Sequence, residues 1–458
     1  MAWNVVVAGG GFAGLYAVRA LERNLPRHSA RITIVSESNF LLYSPLLPAV
    51  AGGALNPRHV TLPIREALKD AQLLIGRVAG CDPDRRVLEI VSVEGEAAEL
   101  PYDHLVVALG SVSRHLPIPG LAEHAIGFKS IIEALHLRDT LLRSLEIAET
   151  IDESEVRAQY LTYVVAGGGY TGVEAIAELQ DLAAEILHLY PRCAAQGMRW
   201  LLLEAGGQIM REVPEDLAEF TASELRRRGI EVHTGTRLEG ITDTSVQLST
   251  GEEVPARTIV WTAGIAPSPA VAQLGLPLDE QGRIKVDQFM QVEGHGDVWA
   301  IGDCAAVPDP ASPGQPCPPT AQHAMRQGSR LAGNVAAALG HGERRPFAFK
   351  TLGLVVDLGR RQAVAKILGV KLRGSIAWFC ARTYHLMAIP GIGRRIRLLI
   401  DWTVDLFFAR DSADWIPPRL PRLSLAVLRD PGAVEVSLNT PTTHDPGPPH
   451  DRPPALEP

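Results

Sequence analysis

The sequence has no closely spaced pair of cysteines. Its five cysteines are Cys81, Cys193, Cys304, Cys317 and Cys380, and no two of them form a CxxC or CxxxxC pair. An odd number of cysteines without such spacing argues against a secreted disulfide scaffold and against a zinc site. We therefore expect a reducing compartment and no bound metal.

Long apolar runs and an excess of positive charge are missing as well. One uncharged segment, residues 38–57, has the length of a membrane span. Its three prolines and its pair of adjacent glycines argue against a transmembrane helix. The formal net charge of -8 argues against a general nucleic-acid-binding protein.

The sequence does contain one pattern that occurs twice. Residues 3–8 and residues 161–166 are apolar, β-branched runs, and each is followed by a glycine-rich turn and a helical pattern. The glycines are Gly9, Gly11 and Gly14 in the first copy and Gly167, Gly169 and Gly172 in the second. A strand, a glycine turn and a helix in this order predict a nucleotide-binding βαβ unit.

Each glycine of such a turn has its own physical role. The first allows the tight turn, the second lets the backbone approach a pyrophosphate, and the third lets helix and strand pack closely. The helix N-terminus then offers free N–H groups and a partial positive charge to the diphosphate. Glycines that only make tight turns are the alternative, but two copies, each with an acid after the next strand, favour two dinucleotide sites.

The two acids are Glu37 and Glu204, which we place at the ends of the next apolar strands. A carboxylate there can accept hydrogen bonds from both ribose hydroxyls of an adenosine. A carboxylate at Glu204 would also repel a 2′-phosphate. The sequence therefore predicts NADH rather than NADPH at the second site.

Two further strand ends resemble the auxiliary FAD motifs of the pyridine-nucleotide flavoprotein reductases. They lie in residues 102–111 and 297–303, and their small or acidic residues are Ala108, Gly110, Gly302 and Asp303. The resemblance implies that the first unit holds FAD, with Asp303 on a ribityl hydroxyl. It also implies that the second unit, which is closed by Gly264, holds the nicotinamide cofactor.

Within this group the chain resembles the type II NADH:quinone oxidoreductases, over nearly all residues up to about 430. Residues 40–48, 167–179 and 319–324 carry the resemblance. The disulfide reductases are disfavoured because they need a redox pair of cysteines near the flavin. The resemblance implies an enzyme that transfers a hydride from NADH to FAD and then two electrons to a membrane quinone, without proton pumping.

The resemblance also implies residues at the acceptor side. Glu174 matches an acid near the flavin that aids proton delivery to the quinone, and a carboxylate favoured by the helix N-terminus is the alternative interpretation. Gln322 is expected to line the quinone pocket, and Ala321 would allow close approach to the flavin ring. Arg326 stands where the family commonly has Gln, so the chain departs from the pattern in this pocket.

Acidic residues are absent between Leu358 and Ile400. The same stretch contains nine basic residues: Arg360, Arg361, Lys366, Lys371, Arg373, Arg382, Arg394, Arg395 and Arg397. With its interleaved aromatic residues and the helical spacing that follows, it predicts a membrane-surface anchor. The alternative is a helix packed on the FAD-binding domain or on a second subunit in a homodimer. We expect a peripheral protein on the cytoplasmic face of the membrane.

The predicted fold class is α/β, with two Rossmann-like dinucleotide-binding domains and a C-terminal module. Residues 1–125 and 285–345 are predicted to bind FAD, 126–284 to bind NADH, 346–438 to associate with the membrane and 439–458 to be a disordered tail. Two other functions would share both nucleotide sites. One is a soluble NADH-dependent reductase of ferredoxin or another carrier, and the other is a flavin-bearing redox-sensing protein with negligible turnover.

Overall fold

The computed structural model of the chain describes residues 2–351 and 353–413. The first elements are β1 (Trp3–Ala8), α1 (Phe12–Asn24), β2 (Ala30–Ser36), β3 (Phe40–Leu42), α2 (Leu47–Ala51), β4 (Thr61–Pro63), α3 (Ile64–Ala67), β5 (Gln72–Asp82), β6 (Val87–Ser92), β7 (Ala97–Pro101), β8 (His104–Val107) and β9 (Ser111–Ser113). The middle elements are α4 (Leu121–His124), β10 (Ala125–Gly127), α5 (Ile131–Thr150), α6 (Ser154–Leu161), β11 (Thr162–Ala166), α7 (Tyr170–Ile186), α8 (Pro191–Gln196), β12 (Arg199–Glu204), α9 (Glu215–Arg227), β13 (Ile230–Thr234), β14 (Leu238–Ile241), β15 (Ser245–Leu248), β16 (Glu253–Pro255), β17 (Thr258–Trp261) and β18 (Ile265–Pro267). The last elements are β19 (Ile284–Lys285), β20 (Val298–Ala300), β21 (Ala305–Ala306), α10 (Ala321–Ala338), β22 (Gly353–Asp357), β23 (Ala363–Ile367), β24 (Val370–Arg373), α11 (Gly374–Ala388) and α12 (Ile392–Phe407).

The first sheet has seven strands in the order β20-β8-β1-β2-β5-β6-β7. Strand β1 lies inside this sheet and runs parallel to β2 and β8, with Ala8 opposite both Val35 and Val107. A parallel strand inside such a sheet is covered on both faces, which explains why residues 5–8 are all apolar and buried. Helices α1 and α10 pack so closely that a Cβ at Gly328 would lie 2.3 Å from the carbonyl oxygen of Ala13.

The second sheet repeats this arrangement with five parallel strands in the order β10-β17-β11-β12-β13. Its central strand, β11, places Ala166 opposite Leu203 and Trp261. Strand β9 of the first unit pairs with β18 of the second, so a short antiparallel ribbon joins the two units. The predicted α/β class with two Rossmann-like units is thus confirmed.

The C-terminal module consists of the antiparallel sheet β22-β23-β24 followed by α11 and α12. Its Val356, Leu398 and Trp402 belong to the same hydrophobic core as residues of α2, α5 and α7. The module therefore packs directly onto the second nucleotide unit. In residues 2–351 and 353–413, no helix is long and apolar enough to cross a membrane.

The predicted domain limits can be compared with the sheets. The first sheet takes strands from residues 3–107 and 298–300, and the second takes strands from residues 125–261. The limits at 125, 285 and 345 remain predictions, because sheets alone do not define domains. The tail at 439–458 and residues 414–438 of the predicted module lie outside the described residues.

Candidate functional site

The first glycine turn lies between β1 and α1, at the carboxyl end of the first sheet. Gly9 has a φ of +116°, and a Cβ at this position would lie 2.2 Å from the carbonyl oxygen of Ala108. A Cβ at Gly14 would lie 1.9 Å from the carbonyl oxygen of Gly9. The packing of the chain itself therefore requires both glycines.

Gly11 differs from these two glycines. It is the N-cap of α1 with a φ of -74°, a value that any residue adopts, and a Cβ there would meet no atom of the described residues within 4 Å. The protein does not need glycine here for its own packing. The turn thus leaves space in front of the helix N-terminus, where free N–H groups suit the diphosphate of a dinucleotide.

The second turn, between β11 and α7, has the same local geometry. Gly167 has a φ of +118°, and a Cβ there would lie 2.7 Å from the backbone nitrogen of Ala263. A Cβ at Gly172 would lie 1.9 Å from the carbonyl oxygen of Gly167. Gly169 caps α7 with a φ of -73°, and again its Cβ would meet nothing within 4 Å in the part of the chain that the structure describes. Two diphosphate sites therefore fit the two turns.

Glu204 is the last residue of β12 and lies against the second turn. Its Oε2 accepts a hydrogen bond from the backbone N–H of Gly168 at 3.0 Å. Its Oε1 accepts from the backbone N–H of Gly206 at 2.7 Å and from Nη2 of Arg211 at 3.2 Å. The carboxylate is thus fixed where the adenosine ribose of a bound dinucleotide is expected.

The first unit departs from the predicted repeat at this point. Strand β2 ends at Ser36 and not at an acid, and Glu37 is the next, exposed residue. A Cβ at Gly10 would lie 2.3 Å from the hydroxyl of Ser36, just as one at Gly168 would lie 2.8 Å from Cβ of Glu204. Ser36 therefore occupies the position of Glu204, and our expectation that β2 ends in an acid is wrong. The ribose role of Glu37 stays a prediction.

The auxiliary motifs come together beside the first turn. Ala108 follows β8, and its backbone N–H donates to the carbonyl oxygen of Ala8 at 2.7 Å. Gly110 and Gly302 have φ values of +65° and +75°. The carboxylate of Asp303 accepts a hydrogen bond from the hydroxyl of Ser111, with 2.6 Å between the oxygens. All four predicted flavin residues are thus grouped at one edge of the sheet.

Gly264 follows β17 at the equivalent edge of the second sheet. It has a φ of +90°, and its carbonyl oxygen accepts a hydrogen bond from the backbone N–H of Arg114 at 3.1 Å. The nearby Thr262 donates its hydroxyl to the carbonyl oxygen of Gly167 at 3.0 Å. This strand end therefore lies directly against the second glycine turn.

Helix α10 brings Ala321 and Gln322 toward the first turn, because it packs along α1. Thr320 caps the helix by accepting the backbone N–H of His323 at 3.3 Å. The side-chain nitrogen of Gln322 donates to the carbonyl oxygen of Gly353 at 3.4 Å. Its Oε1 is buried and has no hydrogen-bond partner within residues 2–351 and 353–413. A buried acceptor without a partner is costly unless a bound molecule or water completes it.

Arg326 lies one turn further along α10. Its guanidinium carbon is 4.3 Å from the centre of the Phe349 ring, and its Nη1 donates to the carbonyl oxygen of Gln322 at 3.4 Å. The cation is thus stacked on an aromatic ring. The residue at which the sequence departs from the family pattern therefore also supports the backbone of Gln322.

Glu174 is the fifth residue of α7 and follows the second glycine turn. Its Oε1 accepts a hydrogen bond from the backbone N–H of Asp357 at 3.1 Å. Burial raises the pKa of Glu174 well above its ordinary value. Strand β22 runs from Gly353, the partner of Gln322, to Asp357, a distance of about 13 Å for five residues. One strand of the C-terminal module therefore connects the two predicted acceptor-side residues.

A small cavity next to Glu174 contains residues that the sequence analysis missed. Its polar lining residues are Glu174, Glu178, Asp357, Arg382 and His385. Burial lowers the pKa of His385 to about 4, and Nδ1 of this histidine lies 3.2 Å from the hydroxyl of Tyr43. Tyr43 belongs to the segment 40–48 that carried part of the resemblance. Asp357 and His385 are remote from Glu174 in the sequence and belong to no motif, so no sequence signal marked them.

A network of charges, buried except for Arg360, attaches the C-terminal module to α7. The pairs are Arg410–Glu178 at 3.2 Å, Arg410–Asp405 at 3.0 Å, Arg382–Asp405 at 3.3 Å and Arg360–Asp181 at 2.8 Å. Burial raises the pKa of Glu178, whereas the Arg410 guanidinium opposes that rise. The acid in the family-like signature of α7 therefore has a clear structural role as the partner of Arg410.

Comparison with known proteins agrees with this arrangement. The family model described as pyridine nucleotide-disulphide oxidoreductase matches residues 3–328. A probable NADH dehydrogenase of Dictyostelium discoideum is 30% identical over 401 residues, which are 86% of this chain and 88% of that protein. A type II NADH:quinone oxidoreductase of Mycobacterium tuberculosis is 30% identical over 422 residues, which are 89% of each chain.

The fold is also that of a solved structure. The structure of NDH2 from Plasmodium falciparum in complex with NADH aligns with a TM-score of 0.83 at 19% identity, and it covers 90% of this chain and 100% of that one. At this identity the likeness concerns the fold alone. The family model and the two relatives nevertheless span most of the sequence. The chain therefore belongs to the pyridine nucleotide-disulphide oxidoreductases and, within them, to the type II NADH:quinone oxidoreductases.

Proposed function

We propose that the chain is an FAD-dependent enzyme that oxidises NADH and reduces a quinone, without pumping protons. The observation that carries this proposal is the pair of open helix N-caps at Gly11 and Gly169, one on each parallel sheet. Two such caps fit two dinucleotides in one protein. The name of the Mycobacterium tuberculosis relative supports the same reaction here.

The first unit is proposed to hold FAD. Its diphosphate would lie at the N-terminus of α1, and Asp303 would accept a hydrogen bond from a ribityl hydroxyl. The packing of both auxiliary motifs on the first unit supports this placement, because Ala108 lies against Gly9 and Gly14, and Gly302 lies beside Ala13 of α1. When bound, the flavin would supply the chemistry of hydride acceptance and electron release.

The second unit is proposed to hold NADH. The N-terminus of α7 would bind its diphosphate, and the carboxylate of Glu204 would accept hydrogen bonds from the adenosine ribose. The two backbone N–H groups that hold Glu204 support this role, because they fix the orientation of the acid before the cofactor arrives.

The acceptor side is proposed to lie between α10, α7 and the C-terminal module. Oε1 of Gln322, which has no hydrogen-bond partner among the described residues, is suited to accept a hydrogen bond from a hydroxyl of the reduced quinone. Burial raises the pKa of Glu174 well above its ordinary value and so favours the protonated acid, which we propose gives its proton to the reduced acceptor. Ala321 would leave room for the flavin ring at the start of α10.

Membrane association is proposed to depend on an apolar face of α12. Leu398 and Trp402 of this helix are buried, whereas the opposite face is exposed. The exposed apolar residues of this face, which we call the α12 face, are Ile392, Ile396, Leu399, Ile400, Val404 and Phe407. A stripe at helical spacing that stays exposed suits insertion into the interface of a bilayer.

Basic residues are expected to contribute less to membrane binding than the sequence suggested. Five of the nine basic residues between 358 and 400 form ion pairs with acids among the described residues, namely Arg360, Lys371, Arg373, Arg382 and Arg394. Trp378 is also turned inward, with the Arg382 guanidinium carbon 4.1 Å from its ring centre. The anchor therefore depends mainly on apolar surface. The five free cysteines agree with a position on the cytoplasmic, reducing face.

Stopped-flow spectroscopy tests the proposed reaction. Purified protein is reconstituted with FAD and mixed with NADH, which should bleach the flavin absorbance. The reduced protein is then mixed with a panel of quinones and protein carriers. Rapid reoxidation by quinones supports the proposal. Reoxidation by a protein carrier alone would point to a carrier reductase, and a reduced flavin that no acceptor reoxidises would point to a redox-sensing protein.

A further inference from the structure

Lys129 is a partly buried cation that the proposed reaction does not use. It follows β10 and directly precedes α5, where Ser130 is the N-cap of the helix. Its ammonium donates a hydrogen bond to the hydroxyl of Ser111, and the hydroxyl of Ser111 lies 2.6 Å from Oδ2 of Asp303. Residues from three distant parts of the sequence thus form one hydrogen-bonded chain.

The donor and acceptor groups determine the direction of both hydrogen bonds. An ammonium group has donors only, and a carboxylate has acceptors only. The hydroxyl of Ser111 therefore accepts from Lys129 and donates its single hydrogen to Asp303. Ser111 cannot rotate without breaking one of the two hydrogen bonds, so the orientation of the Asp303 carboxylate depends on Lys129.

Hydrogen bonds to Glu133 and Ser130 hold the backbone around Lys129 in place. The Glu133 carboxylate accepts the backbone N–H groups of Lys129 at 2.8 Å and of Ser130 at 2.6 Å. The backbone N–H of Glu133 in turn donates to the hydroxyl of Ser130 at 3.2 Å, which completes a capping box. The start of a 20-residue helix therefore fixes the point from which the lysine side chain extends.

Ser111 lies where the two nucleotide-binding units meet. Ser111 begins β9, which pairs with β18 of the second unit, and Pro267 of β18 lies opposite Ser111. Burial lowers the pKa of Lys129, whereas the charges of Asp303 and Glu133 oppose that lowering and favour the ammonium form. A positive charge from the second unit is thus placed behind the carboxylate of the first.

We infer that Lys129 is a positioning residue for the flavin: through Ser111 it orients Asp303, and its charge offsets that carboxylate beside the bound cofactor. This inference depends on the proposed binding of FAD by the first unit. Without the ammonium, Ser111 would no longer be held in place for its hydrogen bond to Asp303. The carboxylate of Asp303 would then be an uncompensated negative charge next to the flavin. FAD would then bind more weakly, and the reduced flavin, which carries more negative charge, would be disfavoured.

The test compares four single variants and one double variant with the parent holoenzyme. Lys129→Met removes the charge but keeps an unbranched side chain, Lys129→Arg keeps the charge, Ser111→Ala removes the connecting hydroxyl, and Lys69→Met is a control at an exposed lysine of the first unit. The measurements are the dissociation constant of FAD and the flavin midpoint potential from spectroelectrochemistry. Thermal unfolding of each protein is recorded in parallel.

For Lys129→Met we expect FAD to bind about tenfold more weakly or worse, and the midpoint potential to become more negative. Ser111→Ala should change both quantities in the same direction, Lys129→Arg should retain most of the parent behaviour, and Lys69→Met should change neither. The double variant of Lys129→Met and Ser111→Ala should show less than the sum of the two single effects, because both act through one chain of hydrogen bonds.

The inference is overturned if Lys129→Met unfolds at a lower temperature but keeps the parent affinity for FAD and the parent potential, because its role would then be structural only. If Lys129→Met does not fold, Ser111→Ala decides, since the loss of one hydroxyl leaves the capping box intact. A parent protein that binds no FAD would refute the proposed function itself, whereas equal FAD affinity in the parent and Ser111→Ala refutes only this inference.

Discussion

The carboxylate of Glu204 accepts a hydrogen bond from the guanidinium of Arg211, with 3.2 Å between Oε1 and Nη2. The acid is largely buried, with 14% of its side chain exposed, whereas 65% of the arginine side chain is exposed. A fixed negative charge thus faces the expected ribose, and a more mobile positive charge lies on its solvent side. Glu204, which would repel a 2′-phosphate, therefore lies directly beside Arg211, which could bind one.

Replacing Glu204 by Gln should shift the enzyme toward NADPH. The amide removes the repulsion of a 2′-phosphate and frees Arg211 to pair with that phosphate. We expect the ratio of kcat/KM for NADH to kcat/KM for NADPH to fall by about tenfold or more, as measured by steady-state kinetics with both cofactors. Glu219→Gln, at an exposed position of α9, is the matched control. An unchanged cofactor preference in Glu204→Gln would remove this role of the acid.

Gly11→Ala and Gly169→Ala should each impair the binding of a different cofactor. A methyl group at either position meets no described atom within 4 Å, and both φ values are negative, so the protein itself should tolerate both changes. Gly11→Ala should lose FAD, whereas Gly169→Ala should keep FAD and raise the KM for NADH. Flavin content after gel filtration and NADH titration provide the measurements.

Gly14→Ala serves as the contrasting variant, because its Cβ would lie 1.9 Å from a backbone oxygen. It should lower the unfolding temperature of the apoprotein, which Gly11→Ala should not do. If Gly169→Ala instead loses the flavin while Gly11→Ala keeps it, the assignment of the two units is reversed.

Glu174→Gln should impair only the second half of the reaction. The hydrogen bond from the backbone N–H of Asp357 can still be accepted by the amide oxygen, but the amide has no proton to give to the acceptor. We expect flavin bleaching by NADH to keep its parent rate and quinone-dependent reoxidation to slow by about 100-fold. Both rates come from stopped-flow absorbance. Equal reoxidation in parent and variant would leave Glu174 with the structural role of a helix N-terminal acid.

His385 should make the protein less stable in acid. Its pKa is about 4 in the folded chain, which is below the ordinary value of 6.5, so the unfolded chain takes up a proton that the folded chain refuses. The stabilisation is fully present above pH 6.5 and is lost as the pH falls to 4, by roughly 3 kcal/mol in the free energy of unfolding. Tyr43 and Tyr384 contact the ring, and Glu174, Glu178, Asp357 and Arg382 line the same cavity.

His385→Gln is the variant that tests this pH dependence. Because other groups also titrate in this range, the informative quantity is the difference between parent and variant at each pH. Urea unfolding at several values between pH 4 and pH 7 measures it. The parent should lose stability relative to His385→Gln as the pH falls. A constant difference over the whole range would contradict the buried, neutral state of the histidine.

The α12 face should be necessary for binding to lipid. We expect the triple variant Ile396→Gln, Leu399→Gln and Phe407→Gln to stay at the bottom of a flotation gradient with anionic vesicles, whereas the parent floats. Each of these side chains is more than half exposed, and its insertion into lipid contributes about 1.5–3 kcal/mol. The control replaces three exposed apolar residues outside the C-terminal module, namely Val93, Ile132 and Leu189.

Sedimentation of the same proteins distinguishes lipid from a second subunit. A parent that does not float, but is a dimer that the triple variant converts to a monomer, would assign the α12 face to a homodimer interface. A triple variant that floats as the parent does would refute the anchor at α12.

The local parts of the site could be predicted from the sequence. The two glycine turns, with Gly9 and Gly167 at positive φ, are dictated by short stretches of chain, because the tight turn and the close helix contact are local requirements. The same holds for the strand ends at Ala108 and Asp303. The prediction that β2 ends in an acid was wrong, since the exact end of a strand depends on its pairing with β1 and β5.

The sequence by itself determined that two nucleotide-binding units exist and where their turns begin. Only the tertiary structure decided that Lys129 reaches Asp303 through Ser111, that Glu174 meets Asp357, and that five of the nine C-terminal cations are paired within the protein. Glycine turns follow from backbone sterics over a few residues, whereas these contacts join side chains far apart in the sequence. Their partners are set by how the sheets and α7 pack, which no local pattern records.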